Sequence, residues 1–453
     1  MRVSRRRFLG SAAAGSTAYL AGCGGPAGAS LLDAGSPCPL PAAATPPALD
    51  YPAPSYFDQI SADLDAAGIG TPVVLVDMDR VDANIDAIVA AIPPGSRYRI
   101  VEKSLPSLDL LSYVSRRSRS DHFLVLHLPF LAPLLTAFPS AEVLVGKAHV
   151  TSAVESFLAA QPATELPAIA ARVIFVADGA ARLSELAALA TRLGVTLRLV
   201  IELDVGLRRS GITTTDELTA MLTMLRGATS VELAGLLGYD GHVAFTPGGT
   251  LAAVNAAWTE ATAIYRSFVD VLQTQFSDLL TPDLIFNSGG SSTFPMYGTP
   301  GTTPVNDVAA GGGVLRPGDY PDHVISALQP AIFIATPVLR QFAMPRLPFF
   351  SEAQSARLFA GVQGLTIHGG GWPALWTHPR GIQPAPFVSD AADPAMVPNQ
   401  GMVIAPGDTP IEPGDWVFYH PRQSDALFQF EQIHLVRGAR LRGETMAAYP
   451  RRY

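Results

Sequence analysis

The chain contains only two lysines, and each follows a short apolar run typical of a buried β-strand. Lys103 follows residues 98–101, and Lys147 follows residues 143–145. A lysine at the end of such a strand can lose part of its hydration and become a nucleophile for Schiff-base formation. Lys103 and Lys147 are therefore competing candidates for covalent chemistry, and either residue alone is also interpretable as a surface lysine.

Three further polar segments also follow predicted strands, and they comprise residues 204–211, 239–242 and 287–293. The small residues and hydroxyls of the third segment suit a phosphate group, which backbone N–H groups and hydroxyls can surround. The candidate ligands in it are Ser288, Gly289, Gly290, Ser291 and Ser292. The other two segments contribute Arg209, Tyr239 and His242. Taken alone, Arg209 is also interpretable as an ion-paired residue and His242 as a core residue. In combination with a lysine, these groups are typical of a pyridoxal phosphate (PLP) site.

Strand-like apolar runs alternate with helical patterns between residues 70 and 320. The predicted strands are 73–76, 98–101, 123–126, 143–145, 173–176, 197–203, 231–237 and 284–286, and the predicted helices include 81–92, 180–193, 217–226 and 251–275. About eight such units predict a (β/α)8 barrel over residues 55–320, with its site at the carboxyl ends of the strands. A doubly wound sheet is the alternative, but no Gly-x-Gly-x-x-Gly motif opens the first helix.

Residues 321–453 are richer in Pro and Gly and lack long helical patterns, so we predict a second, mainly β domain there. Its predicted strands are 331–335, 358–362, 401–405, 416–419 and 433–436.

The composition excludes several classes of protein. The chain has 453 residues, of which 48% are hydrophobic and 15% charged, so a disordered chain is excluded. The net charge of -8 and the lack of a basic stripe argue against nucleic acid as a partner. Past the N-terminus, no apolar run reaches the length of a membrane-spanning helix.

The N-terminus has the pattern of an export signal. Residues 1–23 combine paired arginines with a short apolar run, which resembles a twin-arginine signal, and the run that ends at Cys23 resembles a lipobox. Residues 24–54 are rich in Gly, Ala and Pro and predict a flexible tether. We expect a periplasmic or cell-envelope protein that touches the membrane only through a lipid on Cys23, although Cys23 is incidental if the signal is cleaved elsewhere.

Several segments resemble the alanine-racemase-like, fold type III PLP enzymes, in particular the D-threonine aldolase and D-serine dehydratase group. These segments occur in the family's order and are residues 71–77, 101–104, 201–211, 239–242, 288–293, 413–417 and 433–437. The resemblance implies that Lys103 forms the internal aldimine with PLP and that 288–293 is the phosphate loop. It also implies a small D-amino acid as substrate and a homodimer.

The resemblance is incomplete at the family's metal site. Where family members have a His-x-Cys or His-x-Asp pair, this chain has Gln423 and Asp425, and Gln400 stands at a further histidine position. An amide is a poorer ligand than an imidazole, although Asp425 with His420 could still hold Mg²⁺ or Mn²⁺. The sequence therefore leaves open whether a divalent ion (Mn, Mg or Zn) is bound.

The sequence thus predicts an exported PLP-dependent lyase that cleaves a β-hydroxy D-amino acid to glycine and an aldehyde. Lys103 would hold PLP and act as an acid and base, with His242 assisting. The alternatives are a D-serine dehydratase-like ammonia-lyase, an amino-acid racemase, and a non-catalytic binding protein of the cell envelope on the same scaffold.

Overall fold

The structure is a computed structural model that describes residues 49–247, 249–346, 350–384 and 399–449. The described residues form two compact units, and neither unit is continuous in sequence. The larger unit contains residues 76–332, 423–435 and 444–449, and the smaller unit contains residues 49–75, 333–422 and 436–443.

The larger unit is a closed barrel of eight parallel strands. After β1 (Val73–Asp77), which pairs elsewhere, its strands are β2 (Arg97–Val101), β3 (His122–Val125), β4 (Glu142–Val145), β5 (Val173–Ala177), β6 (Leu197–Glu202), β7 (Val231–Leu237), β8 (Ile285–Ser288) and β9 (Asp307–Ala310). The helices of this unit are α2 (Met78–Ala91), α3 (Leu108–Ser118), α4 (Leu128–Ala137), α5 (Thr151–Ala159), α6 (Leu166–Arg172), α7 (Ala180–Leu193), α8 (Thr215–Gly227), α9 (Leu251–Gln275) and α10 (Asp322–Ile325).

The alternation of strands and helices follows from the pattern of apolar residues. All five residues of β5 are buried, as expected for a parallel strand that is covered on both sides. Helix α7 buries Leu183, Leu186 and Leu189, which lie on one face, and it ends at Gly194 in the left-handed conformation. Each helix can thus cover the barrel with its apolar face while its polar face remains in water.

A buried ion-pair network joins the first and last strands of the barrel. The guanidinium of Arg99 on β2 donates to both carboxylate oxygens of Asp307 on β9, at 2.8 and 2.6 Å, and to Glu142 on β4 at 2.9 Å. Neither Arg99 nor Asp307 is exposed to solvent. Asn287 on β8 donates to the same Asp307 carboxylate at 2.5 Å, so β8, β9 and β2 are linked through one group.

A nine-stranded sheet has most of its residues in the smaller unit. Besides β1 its strands are β10 (Ile332–Phe342), β11 (Val362–Ile367), β12 (Ala374–His378), β13 (Gln383–Pro384), β14 (Met402–Pro406), β15 (Trp416–Pro421), β16 (Gln432–Arg437) and β17 (Arg440–Ala447). Its helices are α1 (Pro54–Ala66) and α11 (Glu352–Leu358). Phe57, Phe333 and Phe418 form the centre of its apolar core. The predicted fold class, a (β/α)8 barrel followed by a mainly β domain, is confirmed.

Three predicted elements differ from the structure. The strand predicted at 73–76 is present as β1, but it pairs with β10 and β16 and is not part of the barrel. The sequence does not distinguish the two cases, because a fully buried strand has the same apolar pattern in either sheet. The eighth barrel strand, β9, was missed because Asp-Val-Ala-Ala is short and weakly β-forming. The strand predicted at 358–362 is wrong at its start, since a capping box of Ser351 and Gln354 opens α11, which extends to Leu358.

Within the described residues, no helix is both long enough and apolar enough to cross a membrane.

Replacing Arg99 by Met should destabilise the protein by about 3–5 kcal/mol, because Asp307 would be left fully buried without its cation, whereas Glu142 keeps its ion pair with Arg198. The control is Arg97→Met in the same strand, since the Arg97 guanidinium donates only to the Asp283 carbonyl, at 3.3 and 3.4 Å. For Arg97→Met we expect the free energy of unfolding to fall by about 1 kcal/mol or less. Urea unfolding followed by circular dichroism measures both variants, and equal losses would contradict a structural role for the network.

Candidate active site

The two lysines both lie at the carboxyl ends of barrel strands. Lys103 is half-buried in a single turn of 3-10 helix, Glu102–Ser104, that begins directly after β2. Strand β2 pairs with β3, and β3 with β4, all in parallel register. Lys147 lies two residues beyond β4 and is exposed. The structure therefore keeps both lysines on the face that the sequence predicts, with Lys103 the more buried of the two.

The loop after β6 is shaped by a carboxylate and carries Arg209. The Oδ1 atom of Asp204 accepts hydrogen bonds from the backbone N–H groups of Gly206 and Arg208, both at 2.9 Å. The guanidinium carbon of Arg209 lies 5.2 Å from the centre of the Tyr239 ring, within the range of a cation–π contact. Arg209 and Tyr239, which come from loops after different strands, are thus brought together.

His242, after β7, packs against the loop after β6. Gly206 has a φ of +115°, and a Cβ at this position would stand 2.8 Å from Nε2 of His242, so only glycine fits there. Partial burial lowers the pKa of the His242 imidazole, although Asp204 and Glu260 oppose this shift. Its Nδ1 atom is buried and has no hydrogen-bond partner among the described residues. A neutral imidazole with an unengaged nitrogen can accept or relay a proton near pH 7.

Asp240 connects the loops after β7 and β8. Thr293 donates to its Oδ1 at 2.9 Å, and Tyr297 donates to its Oδ2 at 2.8 Å. Burial raises the pKa of Asp240 to about 6, and the two hydrogen bonds limit this rise. The Ser288 hydroxyl is 2.8 Å from that of Tyr297 and donates to the Gly238 carbonyl at 2.5 Å. Ser288 was predicted to bind phosphate, but its hydroxyl is engaged in holding these loops together.

The glycine-rich loop after β8 offers a place for an anion. Gly289 has a φ of +88°, and a Cβ on Gly290 would come within 3.0 Å of the Tyr239 ring. In the described part of the chain, no acceptor engages the backbone N–H groups of Gly290, Ser291 and Ser292. Buried N–H groups are rarely left unpaired, and consecutive ones form the usual concave binding site for a phosphate.

A second glycine-rich loop, which sequence reasoning missed, follows β9. The Ser291 hydroxyl accepts hydrogen bonds from the backbone N–H groups of Gly311 at 3.1 Å and Gly313 at 2.8 Å, and it also bonds to the Tyr320 hydroxyl. Ser291 therefore joins the two loops. The run Gly311–Gly313 is a signal in the sequence, but the strand before it has too little β propensity to be predicted, so the run alone does not indicate a site.

The C-terminal segments of the larger unit pack near the turn that carries Lys103, which the sequence does not predict either. The N–H of Tyr449 donates to the carbonyl of Pro106 at 2.7 Å, and the Tyr449 ring stacks on Phe130 at 4.8 Å. The carboxyl of Glu102 is fully buried there, and burial, followed by the charge of Asp425, raises its pKa to about 8. Glu102 is thus predominantly protonated at pH 7.

The residues suggested for a metal do not form a ligand cluster in the described part of the chain. His420 lies on β15 in the smaller unit, is fully buried, and has its Nδ1 3.0 Å from the Tyr51 hydroxyl. Asp425 is exposed and belongs to the larger unit. No group of three or more His, Cys, Asp or Glu side chains suited to a metal occurs among the described residues. Binding of a divalent ion therefore remains a prediction from the sequence.

Comparison with known proteins agrees with this geometry. Residues 76–293 match the family model described as "Alanine racemase, N-terminal domain". No curated protein sequence matches the chain significantly. The chain thus has the fold of the alanine-racemase-like, fold type III PLP enzymes, and its resemblance to them in sequence is confirmed over the matched residues.

Three solved structures show the same fold at low identity. D-threonine aldolase from Filomicrobium marinum is 16% identical, with a TM-score of 0.65 over 84% of this chain and 97% of that one. D-threo-3-hydroxyaspartate dehydratase from Delftia sp. HT23 is 16% identical, with a TM-score of 0.63 over 84% and 98%. An alanine racemase of Clostridium difficile 630 is 13% identical, with a TM-score of 0.56 over 84% and 98%.

Replacing Gly206 by Ala should displace His242 and distort the loop that carries Arg209, because the new Cβ would overlap the imidazole. The control is Gly194→Ala, a position whose φ is also positive, at +67°, but where no atom lies within 4 Å of the added Cβ. Both variants should lose about 1–2 kcal/mol of stability from the backbone strain. Only Gly206→Ala should also change the titration of His242, which NMR of the imidazole protons measures. An unchanged titration would contradict the contact.

Proposed function

We propose that the chain is an exported PLP-dependent lyase that cleaves a β-hydroxy D-amino acid into glycine and an aldehyde. The observation that carries this proposal is the placement of Lys103 and of the unpaired N–H groups of 290–292 at the same end of one barrel. PLP has an aldehyde that condenses with a lysine and a phosphate that needs N–H donors. Both requirements are met by residues of the larger unit.

The residues around these two groups fit the rest of the cofactor and substrate. When bound, PLP supplies an electron sink for the negative charge that develops at Cα. Lys103 would hold it covalently, the loop 289–292 would hold its phosphate, and Tyr239 with Arg209 would border it. Ser291 would act mainly by fixing the phosphate loop, since its oxygen already accepts two N–H groups.

The proposed reaction needs a proton acceptor and a proton donor. His242, neutral and with a free nitrogen, would accept the proton of the substrate β-hydroxyl. The Cα–Cβ bond then breaks, the hydroxyl carbon becomes the carbonyl of the aldehyde, and the bonding pair passes to Cα. Lys103, as an ammonium, would return a proton to Cα and so complete glycine. A divalent ion near the substrate β-hydroxyl would lower the pKa of that hydroxyl. Activity measured with and without added Mn²⁺ or Mg²⁺ tests this metal assistance separately.

Lys103→Ala should abolish the near-visible absorbance band of lysine-bound PLP, whereas Lys147→Ala should retain it. Lys147→Ala is the matched control because it removes the only other lysine amine of the chain. Purified wild-type protein and both variants are incubated with PLP, desalted and scanned. Absence of the band from the wild type would reject the PLP proposal, and loss of it only from Lys147→Ala would move the covalent site to Lys147.

Product identity separates the lyase from its alternatives. Incubation with D-threonine and D-serine, with and without Mn²⁺, should yield glycine and acetaldehyde from D-threonine. A keto acid with ammonia would instead indicate a dehydratase, the reaction in the name of the Delftia neighbour, and the mirror isomer a racemase. PLP binding without turnover of any amino acid would favour a binding protein.

We further propose export through the twin-arginine route, lipid attachment at Cys23 and a homodimer. Residues 1–48, which carry the signal and most of the tether, lie outside the described residues, so these proposals rest on the sequence. Fractionation of cells that express the wild type and a Cys23→Ala variant tests the anchor, and light scattering of the purified protein tests the dimer.

A further inference from the structure

We propose that Glu202 is a positioning residue, whose carboxyl holds Arg209 against the Tyr239 ring through the hydroxyl of Ser210. This inference rests on the proposed function, because Arg209 and Tyr239 are the residues that would border PLP. It assigns a role to a buried carboxyl at the mouth of the barrel, which the proposed reaction does not use.

The first argument is the way in which Glu202 closes the loop after β6. Glu202 is the last residue of this strand and is only 3% exposed. Its Oε1 atom accepts a hydrogen bond from the Ser210 hydroxyl at 2.5 Å, and its backbone carbonyl accepts one from the N–H of Ile212 at 2.8 Å. Gly211, between these two donors, has a φ of +94°, and a Cβ there would come within 2.9 Å of the same carbonyl. The returning end of the loop is therefore bound closely to Glu202.

The second argument is that Arg209 directly precedes Ser210 and is exposed. In the part of the chain that the structure describes, no carboxylate forms an ion pair with Arg209, and its guanidinium contacts the face of the Tyr239 ring. An exposed arginine side chain has many rotamers, so a single weak contact does not define its position. The backbone beside it must therefore be fixed, and the bond from Ser210 to Glu202 fixes that backbone.

The third argument is electrostatic. Burial raises the pKa of the Glu202 carboxyl, the hydrogen bond from Ser210 and then the charge of Arg209 lower it, and Asp178 and Asp204 raise it. The guanidinium of Arg209 thus lies near enough to act on this carboxyl. The Oε2 atom of Glu202 is buried and has no hydrogen-bond partner among the described residues. A half-satisfied buried carboxyl costs stability, and such groups occur where function requires them.

The Tyr239 ring extends this arrangement to the glycine-rich loop after β8. A Cβ on Gly241 would come within 2.4 Å of the ring, and a Cβ on Gly290 within 3.0 Å, so the ring packs on the backbone at both places. Glu202, the loop that carries Arg209, the Tyr239 ring and the glycine-rich loop thus form one series of contacts. We therefore expect the loss of Glu202 to weaken the binding of PLP.

PLP binding tests whether Glu202 acts through Arg209. The half-saturation concentration of PLP, measured from the absorbance of lysine-bound PLP, should rise about tenfold in both Arg209→Met and Glu202→Leu, as expected for loss of one charge-assisted contact. Glu202→Gln should stay within about twofold of wild type, because its amide oxygen still accepts the Ser210 hydroxyl. The double variant Glu202→Leu with Arg209→Met should bind no more weakly than Arg209→Met alone. Additive losses in the double variant, or unchanged binding in Glu202→Leu, would overturn the positioning role.

The matched control is Glu232→Leu on β7. The Glu232 carboxylate is exposed and pairs with Arg198 at 3.4 Å, and Glu232 lies next to the first residue of its strand, whereas Glu202 ends β6. PLP binding should be unchanged in this variant. A loss as large as that in Glu202→Leu would show a general response to removal of a carboxylate and would overturn the specific role.

NMR of the ligand-free protein separates this inference from the proposed function. The protein is labelled with fluorotyrosine, and Tyr239→Phe assigns the resonance of Tyr239. Glu202→Leu should move this resonance in the same direction as Arg209→Met, and Glu202→Gln should leave it at the wild-type position. If the wild type binds no PLP but shows this pattern, the PLP proposal fails and the positioning role stands. A resonance that moves in Arg209→Met but not in Glu202→Leu would overturn the role, and Ser210→Ala replaces Glu202→Leu if urea unfolding shows that the latter does not fold.

Discussion

The ion pair between Arg99 and Asp307 is the interaction on which the site depends. It joins β2 to β9, where the barrel closes, and both side chains are fully buried. Lys103 lies four residues after Arg99, Gly311 lies four residues after Asp307, and Asn287, which binds the same carboxylate, directly precedes the loop 288–293. One buried carboxylate thus sets the relative positions of three strands whose ends carry the nucleophile candidate and both glycine-rich loops. A buried pair of this kind adds little net stability over apolar residues, but it strongly penalises any arrangement that separates its partners.

Near the strand ends, a second set of hydrogen bonds extends this order into the loops. The Asp240 carboxylate accepts hydrogen bonds from the hydroxyls of Thr293 and Tyr297. The Ser291 hydroxyl accepts hydrogen bonds from the backbone N–H groups of Gly311 and Gly313. The hydroxyls of Ser288, Ser291 and Thr293 therefore fix the loops, and backbone N–H groups remain available for an anionic ligand. Such preorganisation lets a loop bind a phosphate without a further loss of conformational entropy.

Much of this site could be predicted from the sequence, because a parallel barrel brings the residue after every strand to the same face. Lys103, Arg209, Tyr239 and His242 were all found by that rule. The rule failed for Gly311–Gly313, because the strand before them contains Asp and Ala and has little β propensity. The rule could not identify Tyr449 or Asp425 either. Tyr449 contacts Pro106 and Asp425 acts on Glu102, and each of these pairs is separated by more than 300 positions in the sequence. It also suggested Ser288 as a ligand, because a sequence does not show that a hydroxyl already has protein partners.

We propose that Lys103, and not Lys147, is the residue that holds PLP. Borohydride reduction of the PLP-loaded wild-type protein converts the lysine–PLP imine into a stable secondary amine, and proteolysis with mass spectrometry then locates the modified lysine. We expect the phosphopyridoxyl group on the peptide that contains Lys103, with the Lys147 peptide unmodified. Modification of Lys147 alone, or of neither lysine, would contradict it.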